Sequence, residues 1–139
     1  MLHPEFPIVE GKYQMTKEWS VDLPFMFNRR FEDESLVIWR PGFTMWIVVW
    51  GNDHNETPKE RLAWIKKGIS EDSFDIMEEE DSDILRYSYR LKEESEDDRL
   101  PAFYCFAIGL KGHIQLAIYF DNEEDVETAH QICRSLREK

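Results

Sequence analysis

Residues 43–52 read FTMWIVVWGN, and this run restricts the fold more than any other stretch of the chain. Successive side chains of a strand point to opposite faces, so Trp46, Val48 and Trp50 share one face and Met45, Ile47 and Val49 the other. Both faces are apolar, which predicts a strand covered on both sides, at the centre of a sheet. Gly51-Asn52-Asp53-His54 then ends it with turn-forming residues. A strand of this kind needs a cover for each face, and the rest of the chain must supply it.

Two helices meet that need. Thr57-Pro58-Lys59-Glu60 places an N-cap Thr before Pro at the first helical position, with Glu three residues after the cap, the pattern of a capping box. Leu62, Ile65 and Ile69 then fall near one face with Trp64 beside it, and Gly68 stands where the helix should end. A second helix is expected to open at Asp121-Asn122, where Glu123, Glu124 and Asp125 suit the positive end of its dipole. Its apolar stripe is Val126, Ala129, Ile132, Cys133 and Leu136. Arg134, Arg137 and Lys139 suit its far end.

Elsewhere the period is two. In ILRYSYRLK, Leu85, Tyr87, Tyr89 and Leu91 alternate with Ile84, Arg86, Ser88 and Arg90, which predicts a half-buried strand with the Arg86, Ser88 and Arg90 side exposed. AFYCFAIGL and IQLAIYF are strands joined by a tight turn at Lys111-Gly112. Phe74 to Glu79 is a shorter strand, turned at Glu80-Asp81-Ser82. Upstream, TKEWSVDL, ESLVIW and FTMWIVVW are strands, the last two joined at Arg40-Pro41-Gly42. The order β-β-β-α-β-β-β-β-α with short turns predicts a single α+β domain over residues 1–139. It has about seven mainly antiparallel strands and two helices laid on the sheet. Residues 1–7 are expected to form a loosely ordered tail.

The net charge of −12 argues against nucleic acid, since phosphate contacts need clustered Lys and Arg. Between Glu71 and Asp98 there are 13 acids and three bases, so this segment carries most of the excess. The Ile84 to Lys92 strand should divide it into two acidic ends, Glu78 to Asp83 and Glu93 to Asp98, about 30 Å apart. The acids read either as a solvated surface or as a dock for a basic partner. No apolar run approaches the ~20 residues of a membrane-spanning helix, and the N-terminus lacks the pattern of a signal peptide. The two cysteines, Cys105 and Cys133, lie far apart and are expected to be reduced, buried thiols of a cytoplasmic chain.

Motifs for chemistry are sparse. The six glycines form no phosphate-binding loop, and there is no H-E-x-x-H and no G-x-S-x-G. The four histidines, His3, His54, His113 and His130, fall in four separate elements, so neither a metal site nor a cofactor is expected. Asp53-His54, a carboxylate beside an imidazole after a buried strand, is the best catalytic suspect, against the reading of an ordinary exit turn. His113 reads as a turn residue and His130 as an exposed helix residue. Arg29, Arg30 and Arg40 form the one basic concentration, close in sequence to Trp39, Phe25, Phe27 and Phe31. They either pair with Glu32, Asp33 and Glu34 or line an anion- or partner-binding groove.

The element order resembles the PsbP-like superfamily, named for an extrinsic subunit of photosystem II. Its fold is also seen in a Ran-binding nuclear import protein and in small bacterial proteins. Trp19-Ser20-Val21-Asp22-Leu23-Pro24 is similar to the family's opening strand ending in Pro. Ala129-His130-Gln131-Ile132-Cys133-Arg134-Ser135-Leu136 is like its closing helix with a Ser near the end. The resemblance implies a non-catalytic partner-binding role and carries over no site residue. With the missing catalytic motifs and the surplus of Trp and Phe, it gives the expectation of a bacterial cytoplasmic adaptor, chaperone or immunity-type inhibitor that binds a protein. The competing expectation is a small-ligand-binding or hydrolytic protein. Its pocket would lie near Asp53, His54 and the Arg29, Arg30 and Arg40 cluster.

Overall fold

The computed structural model describes residues 1–93 and 99–139. Its elements are β1 (Ile8–Gln14), β2 (Trp19–Glu32), β3 (Ser35–Arg40), β4 (Phe43–Gly51), α1 (Pro58–Lys67), β5 (Phe74–Asp81), β6 (Ile84–Leu91), β7 (Ala102–Ile108), β8 (Gly112–Phe120), α2 (Asp125–Ser135) and β9 (Arg137–Glu138). The class is α+β. One antiparallel sheet of nine strands runs β1-β2-β3-β4-β8-β7-β6-β5, with β9 added to β2. The count exceeds the expected seven because β1 and β9 are extra. β1 has Gly11 in the left-handed region and exposed or half-buried side chains on both faces, so its alternation is weak.

β2 continues through Pro24 to Glu32 rather than stopping at it. The register with β1 jumps from Val9↔Phe27 to Gly11↔Leu23, so Pro24, Phe25 and Met26 bulge out of the ladder. Proline is tolerated there because its missing N–H is at an unpaired position. Two of the first seven residues, His3 and Phe6, make defined contacts. Asn28, fully buried, donates to the carbonyls of His3 and Phe6 and accepts from the His3 N–H, and Phe6 packs edge-on against Trp39.

The two helices cover opposite faces. α1 lays Leu62 and Ile65 on Leu85, Tyr87, Tyr89, Phe106 and Ile108. α2 lays Ala129, Ile132, Cys133 and Leu136 on Phe103, Cys105, Ala107, Ile114, Leu116, Ile118, Met45 and Ile47, and β2 closes over it with Trp19, Val21 and Leu23. Ser135 Oγ accepts from the Asp22 N–H at 2.9 Å and ties the end of α2 to β2. α2 starts a few residues later than expected, and Glu124 at its cap makes no side-chain cap bond.

The face of β6 predicted to be exposed is buried on the α2 side of the sheet, so β6 is covered on both sides. Its arginines are held at the two ends of the helix. Arg86 donates to the carbonyl of Leu136 at 2.7 Å and to Asp81 at 3.1 Å. Arg90 pairs with Glu123 and donates to the carbonyl of Pro101 at 2.8 Å. The Nη donors of both arginines thus find the partners that buried guanidinium groups need, whereas Nε of each is buried with none among the described residues. Of the two acidic ends, Glu78 to Asp83 lies on β5 and its turn, an edge strand where charge discourages pairing with other sheets. Of the other, Glu93 to Asp98, all but Glu93 falls outside the described residues.

The cysteines differ from expectation: Cys105 of β7 and Cys133 of α2 form a disulfide under the helix. Sequence spacing holds no sign of it, because only the packing of α2 on β7 brings the two together.

α1 is capped as its sequence predicts. Glu60 N donates to Thr57 Oγ1 at 3.2 Å and Thr57 N to Glu60 Oε1 at 2.9 Å. Thr57→Ala is expected to cost about 1 kcal/mol, read as a shift of the urea midpoint with an unchanged slope. An unchanged midpoint would show that α1 is held by packing alone.

Candidate functional site

The central strand β4 directs Phe43, Met45 and Ile47 into the core under α2. Its other face is only partly covered. Trp46 and Val48 are half-buried and Trp50 is exposed, so the expectation of burial on both sides holds for one face alone. α1 covers only the β6–β7 end of this second face. Across the part that the described residues leave open run Trp39, Trp46, Tyr104 and Tyr119, all half-buried, with Arg99 5.2 Å over the Tyr119 ring.

The arginine cluster is split by the sheet. Arg30 stands on the open face, its guanidinium 4.7 Å from the Trp39 ring and 5.7 Å from Trp46, and it pairs with Glu32 at 2.8 Å. Register puts Arg29, opposite Ile38, and Arg40, opposite Phe43, on the other face. There Arg29 lies 5.5 Å over Phe31 and Arg40 4.7 Å over Phe25. The predicted cluster is thus divided: Arg30 meets Trp39 on one face, while Arg29 and Arg40 meet Phe31 and Phe25 on the other.

Asp53 and His54 are exposed, and neither side chain makes a hydrogen bond or ion pair with another described residue. They follow Gly51, whereas Arg40 pairs with Phe43 at the opposite end of β4, roughly 25 Å away along the strand. The two halves of the expected pocket do not share a cleft.

The loop does organise a polar centre, through its neighbour Asn52. Asn52 Nδ2 donates to the carbonyls of Glu56 at 2.9 Å and Leu110 at 3.0 Å. Its Oδ1 accepts from Glu56 N at 2.9 Å and Arg61 Nη2 at 3.1 Å. Arg61, a buried residue of α1, also pairs with Glu56 at 3.3 Å and donates from Nη1 to His113 Nδ1 at 2.9 Å. Guanidinium only donates, so Nδ1 must accept and the imidazole proton sits on Nε2. Burial, and then the adjacent Arg61 charge, push the pKa of His113 down from 6.5 to about 4, which keeps the ring neutral.

His113 is 3% exposed and stacks on Trp50, with ring centroids 4.7 Å apart. It sits there because Gly112 lets β8 approach β4. Gly112 has φ +145, and a Cβ on it would lie 2.0 Å from the Trp50 carbonyl oxygen. Reading His113 as a turn residue missed this. The available signal was its register opposite Trp50, one step from the apolar Ile114.

Beside this centre, α1 and the sheet border an open cleft of about 520 Å³, lined by Trp50, Trp64, Ile65 and Phe106, with His113, Lys67, Tyr89 and Gln115 as its polar groups. On the open face, Glu93 accepts hydrogen bonds from the hydroxyls of Tyr104 and Tyr119. Burial and the Glu93 carboxylate hold Tyr104 strongly above the usual phenol pKa. Among the described residues no group of three His, Cys, Asp or Glu is placed to hold a metal, and no helix is long and apolar enough to cross a membrane. No family model, curated protein or solved structure matches the chain.

Proposed function

We infer that the protein is a non-catalytic protein-binding module whose partner docks on the open face of the sheet, around Trp39, Trp46, Tyr104, Tyr119 and Arg30. The observation that carries this reading is that the described residues leave the second layer incomplete. α1 covers one end of a face whose remainder presents half-buried aromatic rings. A sheet face of this composition is stabilised by a further apolar layer. Trp, Tyr and Arg are also the residue types that dominate contact energies at protein interfaces. The solvated Asp53 and His54, and their distance from the arginines, weigh against the hydrolytic alternative.

The PsbP-like resemblance adds a binding-module precedent at the level of fold alone. The adaptor, chaperone and immunity-type roles all remain versions of this one reading. The disulfide favours an oxidising compartment over the cytoplasm expected from sequence.

The test is affinity capture from native cells with wild type, Trp46→Ala, and the Asp53→Ala/His54→Ala double variant. A stoichiometric partner should be recovered by wild type and by the double variant, and lost with Trp46→Ala. Equal recovery with Trp46→Ala, or recovery of no stoichiometric partner by wild type, would sink the proposal.

A further inference from the structure

The cleft between α1 and the sheet is separate from the Trp39–Tyr119 stripe and has features of a built ligand site. Its size suits a small organic molecule. Its walls are largely apolar: Trp64 is 66% and Trp50 42% exposed, an arrangement that leaves two indole rings at the mouth. Its charge is one-sided. In a chain with 29 acids, no carboxylate lines the cleft among the described residues, whereas Lys67 does. Lys67 makes no ion pair with another described residue.

His113 supplies the second donor. With Nδ1 fixed by Arg61, its Nε2–H has no partner among the described residues and is not sealed from solvent, so the otherwise buried ring leaves this donor open for a ligand. The ring cannot turn to satisfy itself, because Trp50 stacks on it and Arg61 in turn is fixed by Asn52 and Glu56.

We propose that this cleft binds a small apolar carboxylic acid in its ionised form. The carboxylate is taken by His113 Nε2–H and the Lys67 ammonium, and the apolar body lies against Trp50, Trp64 and Phe106. A neutral donor backed by a guanidinium favours an anion without itself having to be charged. The absence of acids in the lining removes the repulsion that the rest of this surface would impose. An amine of the same shape would face Lys67 with no carboxylate in the described lining to pair with it.

3-Phenylpropionate, 3-phenylpropionamide and 3-phenylpropylamine serve as matched probes, titrated at neutral pH and followed by tryptophan fluorescence and by the indole N–H signals. Saturable binding of the acid is expected, with a Kd of about 1 mM or tighter. The amide should bind about tenfold more weakly, as expected for loss of charge-assisted hydrogen bonds. The amine should not bind. Lys67 and Trp64 are exposed, so their variants keep the fold. Lys67→Ala should weaken the acid about threefold while leaving the amide unchanged. Trp64→Ala should weaken acid and amide alike. Equal affinity for acid and amide, binding of the amine, an unchanged acid-to-amide ratio in Lys67→Ala, or no saturation by the acid up to about 10 mM would each overturn the proposal.

Discussion

Replacing both cysteines, Cys105→Ala/Cys133→Ala, or reducing the bond in denaturant and refolding under reductant, is expected to lower stability by about 3.5 kcal/mol. The bond closes a loop with a sequence separation of 28, and the chain-entropy relation gives that figure for a loop of this length. For a chain of 139 residues this corresponds to a fall in Tm of roughly 10 °C. The location supports a large effect: Cys105 is fully buried and Cys133 nearly so, and they join the middle of β7 to α2, the helix that closes the main core. Urea unfolding of oxidised and reduced protein measures the difference. Thiol titration of the denatured, unreduced chain should find no free thiol. Two free thiols, or midpoints that coincide with and without reductant, would contradict the bond and the loop-closure argument with it.

Local chemistry was legible and long-range partnership was not. Thr57 to Glu60 forms the capping box that its four residues spell out, because a cap is satisfied within one turn. The helix stripes and the period-two strands also follow from neighbours in sequence. Arg86 and Arg90 misled because alternation of charged and aromatic residues is the signature of a solvated face. Their partners, Leu136 O and Glu123, lie 50 and 33 residues away. FTMWIVVW misled in the opposite direction. Its second apolar face is covered only in part, and Arg30, reaching over from β2, shields Trp46 in place of a helix.

The site followed the same division. Asp53-His54 attracted notice as a chemical pair adjacent in sequence, yet adjacency aims side chains apart. The polar centre instead draws on Asn52, Glu56, Arg61 and His113, which come from the loop, α1 and β8 and meet only in the folded chain. The residue shared between the expected loop and the observed centre is Asn52, whose role is to hold the turn.

The same centre should make the fold acid-labile. His113 has its pKa pushed down from 6.5 to about 4. Between these values the unfolded chain binds a proton that the folded chain refuses. Stability is therefore complete above pH 6.5, falls as pH drops through the window, and levels off for this group below about pH 4. The gap corresponds to roughly 3 kcal/mol.

The cause is geometric. A proton on Nδ1 would point an N–H at the Arg61 guanidinium, in a site where Glu56 is the one acid paired to that arginine and Trp50 and Phe106 wall the ring. His130 is also held below its usual value, chiefly by burial, so it loses stability in the same direction and must be separated. His113→Gln keeps an amide in place of the ring and removes the titration. The difference in unfolding free energy between wild type and His113→Gln should shrink by about 3 kcal/mol from pH 7 to pH 4, while the His130 contribution cancels. A difference that stays constant across that range, or a His113 proton resonance that titrates near 6.5, would mean that burial and the Arg61 contact do not hold the imidazole neutral.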